Sequence, residues 1–252
     1  MTLSPFDLHG RRAVVTGAGR GLGQAIAAGL ARAGADLVLL GRPGNQSATR
    51  DLVAGLGRKV EVVDLDVSDP DAVERIAAEV SSDRPVDILV NNAGVIERED
   101  SVDVSRQSWN RVVDINLNGL FFLSQQFGRA MTERGSGKII NVASLLSFQG
   151  GLRVAAYAAS KHGVAGVTKA LANEWGPLGV QVNAIAPGYI ATDNTTALRQ
   201  DPDRSRSILE RIPAGRWGNA ADIAGAAVFL SSAAADYVNG HVLVVDGGWM
   251  AR

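Results

Sequence analysis

The chain has 252 residues, 46% of them hydrophobic and 20% charged, a make-up that supports a globular fold with a sizeable core. A formal net charge of −1 gives no bulk attraction to nucleic acid or to an anionic membrane, so neither is expected as a partner, although local basic patches stay possible. With no cysteine there is no disulfide framework, thiol nucleophile or thiolate metal site, and three scattered histidines (His9, His162, His241) argue against a metal centre.

No run approaches the roughly 18 apolar residues of a membrane span. The opening MTLSPFDLHG lacks a basic, apolar leader, so the cytoplasm is the expected location.

In chain order, Arg12 to Thr16 reads as a short β-branched strand, and Gly17-Ala-Gly-Arg-Gly-Leu-Gly23 follows at once. IAAGLARAGA then has helical spacing and stops at Gly34, a reasonable C-cap. Strand, glycine-rich turn and helix together point to a dinucleotide site. Glycines let the backbone approach a pyrophosphate, and a helix N-terminus offers unpaired N–H groups to its charge. The candidates are Gly17, Gly19, Arg20, Gly21, Leu22 and Gly23; the plain alternative is a tight turn.

The second strand, Asp36 to Leu40, ends in Gly41-Arg42. A dinucleotide fold that prefers NAD carries an acid here for the ribose 2′-hydroxyl. Glycine stands in its place, with Arg42 beside it and Arg20 in the glycine loop. Two guanidiniums without the acid suit a 2′-phosphate, so NADP is the expected cofactor and NAD the alternative. Either arginine can also be a solvated surface residue.

Lys59 to Asp64 reads as the third strand, with Asp66 and Val67 at its exit. Asp66 either meets adenine or caps the helix that begins near Pro70. The fourth strand, Val86 to Val90, leads into Asn91-Asn-Ala-Gly94, where Asn92, Ala93 and Gly94 line the cofactor or form a structural turn. A helical stretch from Ser105 to about Arg134 holds Asn116, whose amide on an apolar face requires a partner.

The fifth strand, Lys138 to Val142, brings Ser144, and the helix after Ala155 carries Tyr157 and Lys161 on one face. A phenol titrates near pH ~10 and is a poor acid or base at neutrality. An ammonium one turn away favours the phenolate and is expected to draw its pKa toward neutrality, which fits proton chemistry on an alcohol or ketone. Taken alone, Tyr-x-x-x-Lys is weak, since a packed ring beside a solvated ammonium has the same spacing.

Val180 to Ala186 is the sixth strand, broken by Pro187-Gly188. The polar 189–216 segment is long enough for a substrate-covering loop with a short helix, expected to be mobile and to close over the cofactor. A helix from Asn219 to Leu230 and a strand from His241 to Val245 complete the alternation. Seven strands and about six helices predict one α/β domain over 1–252, a parallel sheet with helices on both faces.

With these residues in place, the chain resembles the short-chain dehydrogenase/reductase family: TGAGRGLG, NNAG, INLNG, the Ser144 to Tyr157 spacing, YAASK and PGYIAT occur in that order over nearly its whole length. The resemblance implies a Rossmann fold and an NAD(P)-dependent oxidoreductase acting on CH–OH groups. It implies a tetrad of Asn116, Ser144, Tyr157 and Lys161. Tyr157 would be the acid/base, Ser144 would hold the substrate oxygen, Lys161 would lower the phenol's pKa and bond the nicotinamide ribose, and Asn116 would position a relay water. By the same carry-over Gly17, Gly21 and Gly23 touch the diphosphate, Asp66 the adenine and Asn92 the adenosine ribose region. Pro187, Gly188, Ile190 and Thr192 hold the carboxamide.

NNAGVIERED, SLLSFQGGLRVAAYAASK, NAIAPGYIATDNT, RIPAGRWG and the ending DYVNGHVLVVDGGWMAR are similar to the sugar-acid branch of that family. That branch holds the 2-deoxy-gluconate 3-dehydrogenases (also described as 2-dehydro-3-deoxy-gluconate 5-dehydrogenases) and the gluconate 5-dehydrogenases. The first group matches better through SFQGG, yet it generally uses NAD, whereas Gly41-Arg42 points to NADP. A sugar acid needs a cation and polar groups. Arg98, Gln149 and Arg153 lie near the strand ends where a pocket should open, with Arg153 the first choice and a surface or interface role the alternative. The resemblance further implies a homotetramer, in which Trp249 and Arg252 reach a neighbouring subunit's pocket. Two rival readings are a 3-oxoacyl thioester reductase, which calls for a basic surface, and a non-catalytic dinucleotide sensor, which calls for a missing tetrad member.

Overall fold

The computed structural model describes residues 4–252. Its centre is a parallel sheet of seven strands: β1 (Arg12–Thr16), β2 (Asp36–Gly41), β3 (Val60–Asp64), β4 (Ile88–Asn91), β5 (Gly137–Val142), β6 (Val180–Pro187) and β7 (Val242–Val245). They lie in the order β3-β2-β1-β4-β5-β6-β7. The fold class expected from the sequence is therefore the one found. In register, Val14 of β1 faces Val38 of β2 on one side and Leu89 of β4 on the other. The strand order reverses between β1 and β4, and such a switch point opens a crevice at the carboxyl ends of the strands.

Inner strands read as unbroken apolar runs because helices cover both faces. Alternate residues sort to opposite sides. Val15, Leu39, Val90 and Ile185 pack with Ile26 and Leu30 of α1 (Gly21–Arg32) and Leu230 of α9 (Ala220–Ser231). Val14, Val38, Leu89 and Ile139 pack on the other side. There they meet Ile76 of α3 (Pro70–Asp83), Phe127 and Met131 of α5 (Gly119–Arg134), and Leu171 of α6 (Ala155–Trp175). Burying a side chain such as Phe127 stabilises by about 1.5–3 kcal/mol.

Local chemistry sets the helix starts. Asp69 caps α3 by accepting from the Asp71 and Ala72 N–H groups, with Pro70 in the first turn. That assignment removes Asp66 as the cap, one of its two sequence readings. Ser105 caps α4 (Arg106–Val113) by accepting from Ser108 N–H. In contrast, α1 starts with no side-chain cap, which leaves its first N–H groups facing the crevice.

Three differences from the sequence reading stand out. A further helix, α2 (Ser47–Gly55), follows β2; its apolar face is short, and only Thr49 and Val53 are buried. The helical stretch from Ser105 is not uniform, since a π-helical turn at Asp114–Asn118 separates α4 from α5 and contains the buried Asn116. The segment after β6 holds two helices rather than one, α7 (Thr196–Gln200) and α8 (Pro202–Arg211), the second capped by Asp201.

Candidate active site

The crevice is a cleft of about 680 Å³ along the carboxyl ends of β1, β2, β4, β5 and β6. Gly17, Gly19, Arg20, Gly21, Leu22 and Gly23 form its floor. Arg42, Asp66 and Val67 line one end, and Asn92, Ala93 and Gly94 the middle. Ser144, Tyr157, Lys161, Pro187, Gly188, Ile190 and Thr192 line the other end. Asn116 lies behind that wall: a Cβ on Gly94 would stand 3.2 Å from its Oδ1.

The glycine loop is tight for reasons of space. Gly17 has φ +61, and a Cβ on Gly23 would collide with the Gly17 carbonyl. Thr16 and Asn92 lock this turn to the end of β4. The Thr16 Oγ1 accepts from the N–H groups of Asn92 and Ala93, each at 2.9 Å. The Asn92 side-chain amide donates to the carbonyls of Thr16 (2.9 Å) and Gly17 (3.1 Å). Its donors are thus committed to the backbone, which favours the structural reading of this residue.

At the β2 end Arg42 is exposed at the cleft edge. Asp66 accepts from the N–H (2.9 Å) and hydroxyl (2.6 Å) of Ser68. These bonds first, then the charges of Arg42 and Arg111, hold its carboxyl below the usual range. Arg20 instead reaches across the mouth to Asp193 at 2.9 Å. Both partners are largely exposed, so that pair adds about 0–1 kcal/mol at most.

At the other end, α6 presents Tyr157 and Lys161 one turn apart. Lys161 is buried and its Nζ donates to the Val142 carbonyl at 2.6 Å, 5.7 Å from the Tyr157 ring centre. Burial lowers the Lys161 pKa to about 8. Burial also pushes the Tyr157 phenol up, opposed by the Ser144 hydroxyl and the Arg98 guanidinium. The expectation that Lys161 draws the phenol toward neutrality is corrected here. The ammonium is directed at a carbonyl and is itself desolvated, while the groups pulling the phenol down are Ser144 and Arg98.

The partner that Asn116 requires is the loop after β4. Its Oδ1 accepts from Val95 N–H at 2.8 Å, and its Nδ2 donates to the Val95 carbonyl (2.9 Å) and to Ser160 Oγ (3.2 Å). Ser160 in turn donates to the Tyr157 carbonyl at 2.8 Å. A second tie was not read from the sequence. Ser147 accepts from Ser144 N–H at 3.3 Å and donates to the Lys161 carbonyl at 2.7 Å, so it joins the Ser144 turn to α6. The Ser-x-x-Ser spacing of Ser144 and Ser147 was the available signal, since it is that of a capping box.

The three substrate candidates separate. Arg98 bonds the Asn194 carbonyl at 3.3 Å and places positive charge near the Tyr157 phenol. Gln149 accepts from Trp249 Nε1 at 3.2 Å. Arg153, the first choice from sequence, has φ +63, is well exposed and pairs with Asp100 at 2.9 Å; none of the three candidates is among the residues that line the cleft. Trp249 is buried in its own chain against Leu145, Ile208 and Ile212, and Arg252 donates to the Glu210 carbonyl at 2.9 Å.

Among the described residues no helix is long and apolar enough to cross a membrane, and no cluster of metal-ligating side chains occurs.

A switch-point cleft with a glycine-floored turn at one end and a Ser-Tyr-Lys group at the other defines an NAD(P)-dependent oxidoreductase of the α/β class. The chain belongs to the short-chain dehydrogenase/reductase family, as its sequence led us to expect. Residues 17–250 match the family described as Enoyl-(Acyl carrier protein) reductase. The 2-dehydro-3-deoxy-D-gluconate 5-dehydrogenase of Bacillus subtilis (strain 168) is 57% identical over 247 residues, 98% of this chain and 97% of that protein. An Agrobacterium tumefaciens protein crystallised with bound NADP is 57% identical with a TM-score of 0.94, covering 99% of this chain and 100% of that one. The gluconate 5-dehydrogenase of Burkholderia cenocepacia J2315, in complex with NADP and tartrate, is 39% identical with a TM-score of 0.95 over 98% of both chains.

Proposed function

We propose that this chain is an NADP-dependent dehydrogenase interconverting a secondary alcohol and a ketone on a sugar acid of the gluconate or deoxy-ketogluconate type. The observation that carries the reading is Arg98, an exposed cation bonded to the Asn194 carbonyl in the segment that lines the cleft, whose charge favours the ionised form of the proton-transfer phenol. A carboxylate set there pairs with the guanidinium while a neighbouring hydroxyl or carbonyl meets Tyr157 and Ser144. The relatives named for sugar acids support it over a thioester substrate.

The cleft suits a dinucleotide. The glycine turn and the uncapped start of α1 offer N–H groups to a pyrophosphate, and no acid stands at Gly41. In this reading Gly17, Gly19, Gly21, Leu22 and Gly23 hold the pyrophosphate, and Arg20 and Arg42 the 2′-phosphate. Asp66 and Val67 hold the adenine, Ala93, Gly94 and the Asn92 backbone the ribose side, and Pro187, Gly188, Ile190 and Thr192 the carboxamide. A bound nicotinamide supplies the hydride acceptor in oxidation and the donor in reduction.

The chain's own residues move the proton. Tyr157, a phenol that burial holds further in its neutral form, gives its proton to the ketone oxygen in reduction. In oxidation it takes the alcohol's proton as the phenolate left when its own proton passes to the neutral Lys161 amine. Ser144 donates to that same oxygen. Lys161, with a pKa of about 8, takes up or returns the proton behind Tyr157, and Asn116 braces the turn between Val95 and α6. The reading includes one domain over 1–252, a homotetramer, and the cytoplasm as location.

The test is turnover with gluconate and 2-keto-3-deoxygluconate and either cofactor. Arg98→Gln should raise the KM for the acid by about tenfold or more, the scale of one lost charged hydrogen bond, and should affect a neutral polyol far less. Equal KM values for the acid in both proteins would remove Arg98 and the carboxylate from the reading. Sedimentation of the purified protein checks the tetramer.

A further inference from the structure

The cleft wall between β2 and the glycine turn contains a donor that the site described above leaves unused. Gln46, just before α2, is 2% exposed and lines the cleft. Its Oε1 accepts from Asn45 N–H at 3.1 Å, whereas its Nε2 is buried with no hydrogen-bond partner in the chain. An unmet buried donor costs about 1–3 kcal/mol, so a position holding one calls for a ligand.

The place where this donor sits is informative. A Cβ added to Gly41 would stand 2.7 Å from Gln46 Nε2. Nε2 therefore occupies the space that a side chain at the end of β2 would enter, the position from which an acid reaches a ribose 2′-hydroxyl in NAD-preferring folds. The Gln46 carboxamide is held where it is by burial and by the bond its Oε1 accepts from Asn45 N–H, and its loop is pressed on the glycine turn. Thr49, the third residue after it, donates to the Ala18 carbonyl at 2.8 Å.

We infer that Gln46 is a specificity-determining residue: its carboxamide excludes a side chain at position 41 and its free N–H donates to the 2′-phosphoryl group of NADP. The inference rests on the NADP reading above and adds a residue to it. A neutral N–H donor to a phosphoryl oxygen makes a charge-assisted bond, roughly twice as strong as one to a ribose hydroxyl. Arg20 and Arg42, both exposed at the mouth, then act as mobile cations around a fixed, buried donor.

The experiment measures dissociation constants for NADPH and NADH by quenching of protein fluorescence, with thermal unfolding to verify folding. Gln46→Leu keeps the volume and removes the donor; it should weaken NADPH about tenfold and leave NADH within about twofold. Gly41→Asp in the Gln46→Ala background has room for the acid and should bind NADH more tightly than NADPH. An unchanged ratio of the two constants in Gln46→Leu, with the unaltered chain preferring NADPH, overturns the role of Gln46 alone. Continued NADPH preference in the double variant overturns the exclusion. Tighter NADH binding by the unaltered chain overturns the NADP reading and this inference with it.

Discussion

Desolvation dominates the titration of both the half-buried Tyr157 and the buried Lys161, and it moves them in opposite directions: the phenol up, the ammonium down to about 8. Oxidation has to release a proton and reduction has to supply one, so the two directions should share a limb near pH 8, oxidation rising through it and reduction falling. Profiles of kcat/KM in both directions, with no common limb between about pH 7 and 9, would remove Lys161 from the relay. The same shift acts on stability. Below pH 8 both folded and unfolded chains hold the Lys161 proton; from about 8 to the ordinary 10.5 the unfolded chain binds more, so stability rises with pH. Lys161→Met should abolish that rise, as read from urea midpoints. Tyr157→Phe should lower kcat by about 10²–10⁴ with dinucleotide affinity kept, which separates an enzyme from a sensor.

Elements position these residues through their ends. Asp69 caps α3 and Asp66 does not, although the two are three residues apart. Asp69→Ala should therefore cost about 1 kcal/mol of stability with dinucleotide affinity unchanged. Asp66→Ala should weaken dinucleotide binding with little loss of stability. The reverse pattern in denaturant titration and binding would exchange their roles. Ser147, between the Ser144 turn and α6, is a positioning residue. Ser147→Ala should lower kcat while dinucleotide affinity holds, and Ser147→Thr should restore part of it.

Across the whole molecule, the segment after β6 is fastened at one end and exposed at the other. Ile208 of α8 and Ile212 just past its end pack with Leu145 and Trp249, and the Arg211 guanidinium lies 4.0 Å above the Trp249 ring. The 193–200 stretch is mostly exposed, and Arg20 reaches it across the cleft. This arrangement suits a flap hinged on α8 that closes over bound dinucleotide. Hydrogen exchange should show protection gained at 193–200 and little change in α8 when NADPH is added. Equal protection with and without it would leave the segment static.

Much of this was legible in the residue order. Seven apolar runs, a glycine turn directly after Thr16 and the Tyr157–Lys161 pair are local patterns, and a parallel sheet with covered faces leaves them little freedom. The sheet, its switch-point cleft and the family follow from them. What tertiary structure alone decided are contacts between residues far apart in sequence or turned by backbone. Arg153, at a left-handed φ, pairs with Asp100, Trp249 folds back on its own α8, and Asn92 is committed to the glycine turn. Burial reversed the expected direction for Tyr157, and Gln46 fills the space beside Gly41. Desolvation and collision depend on everything that surrounds an atom, and no spacing along the chain encodes that surrounding.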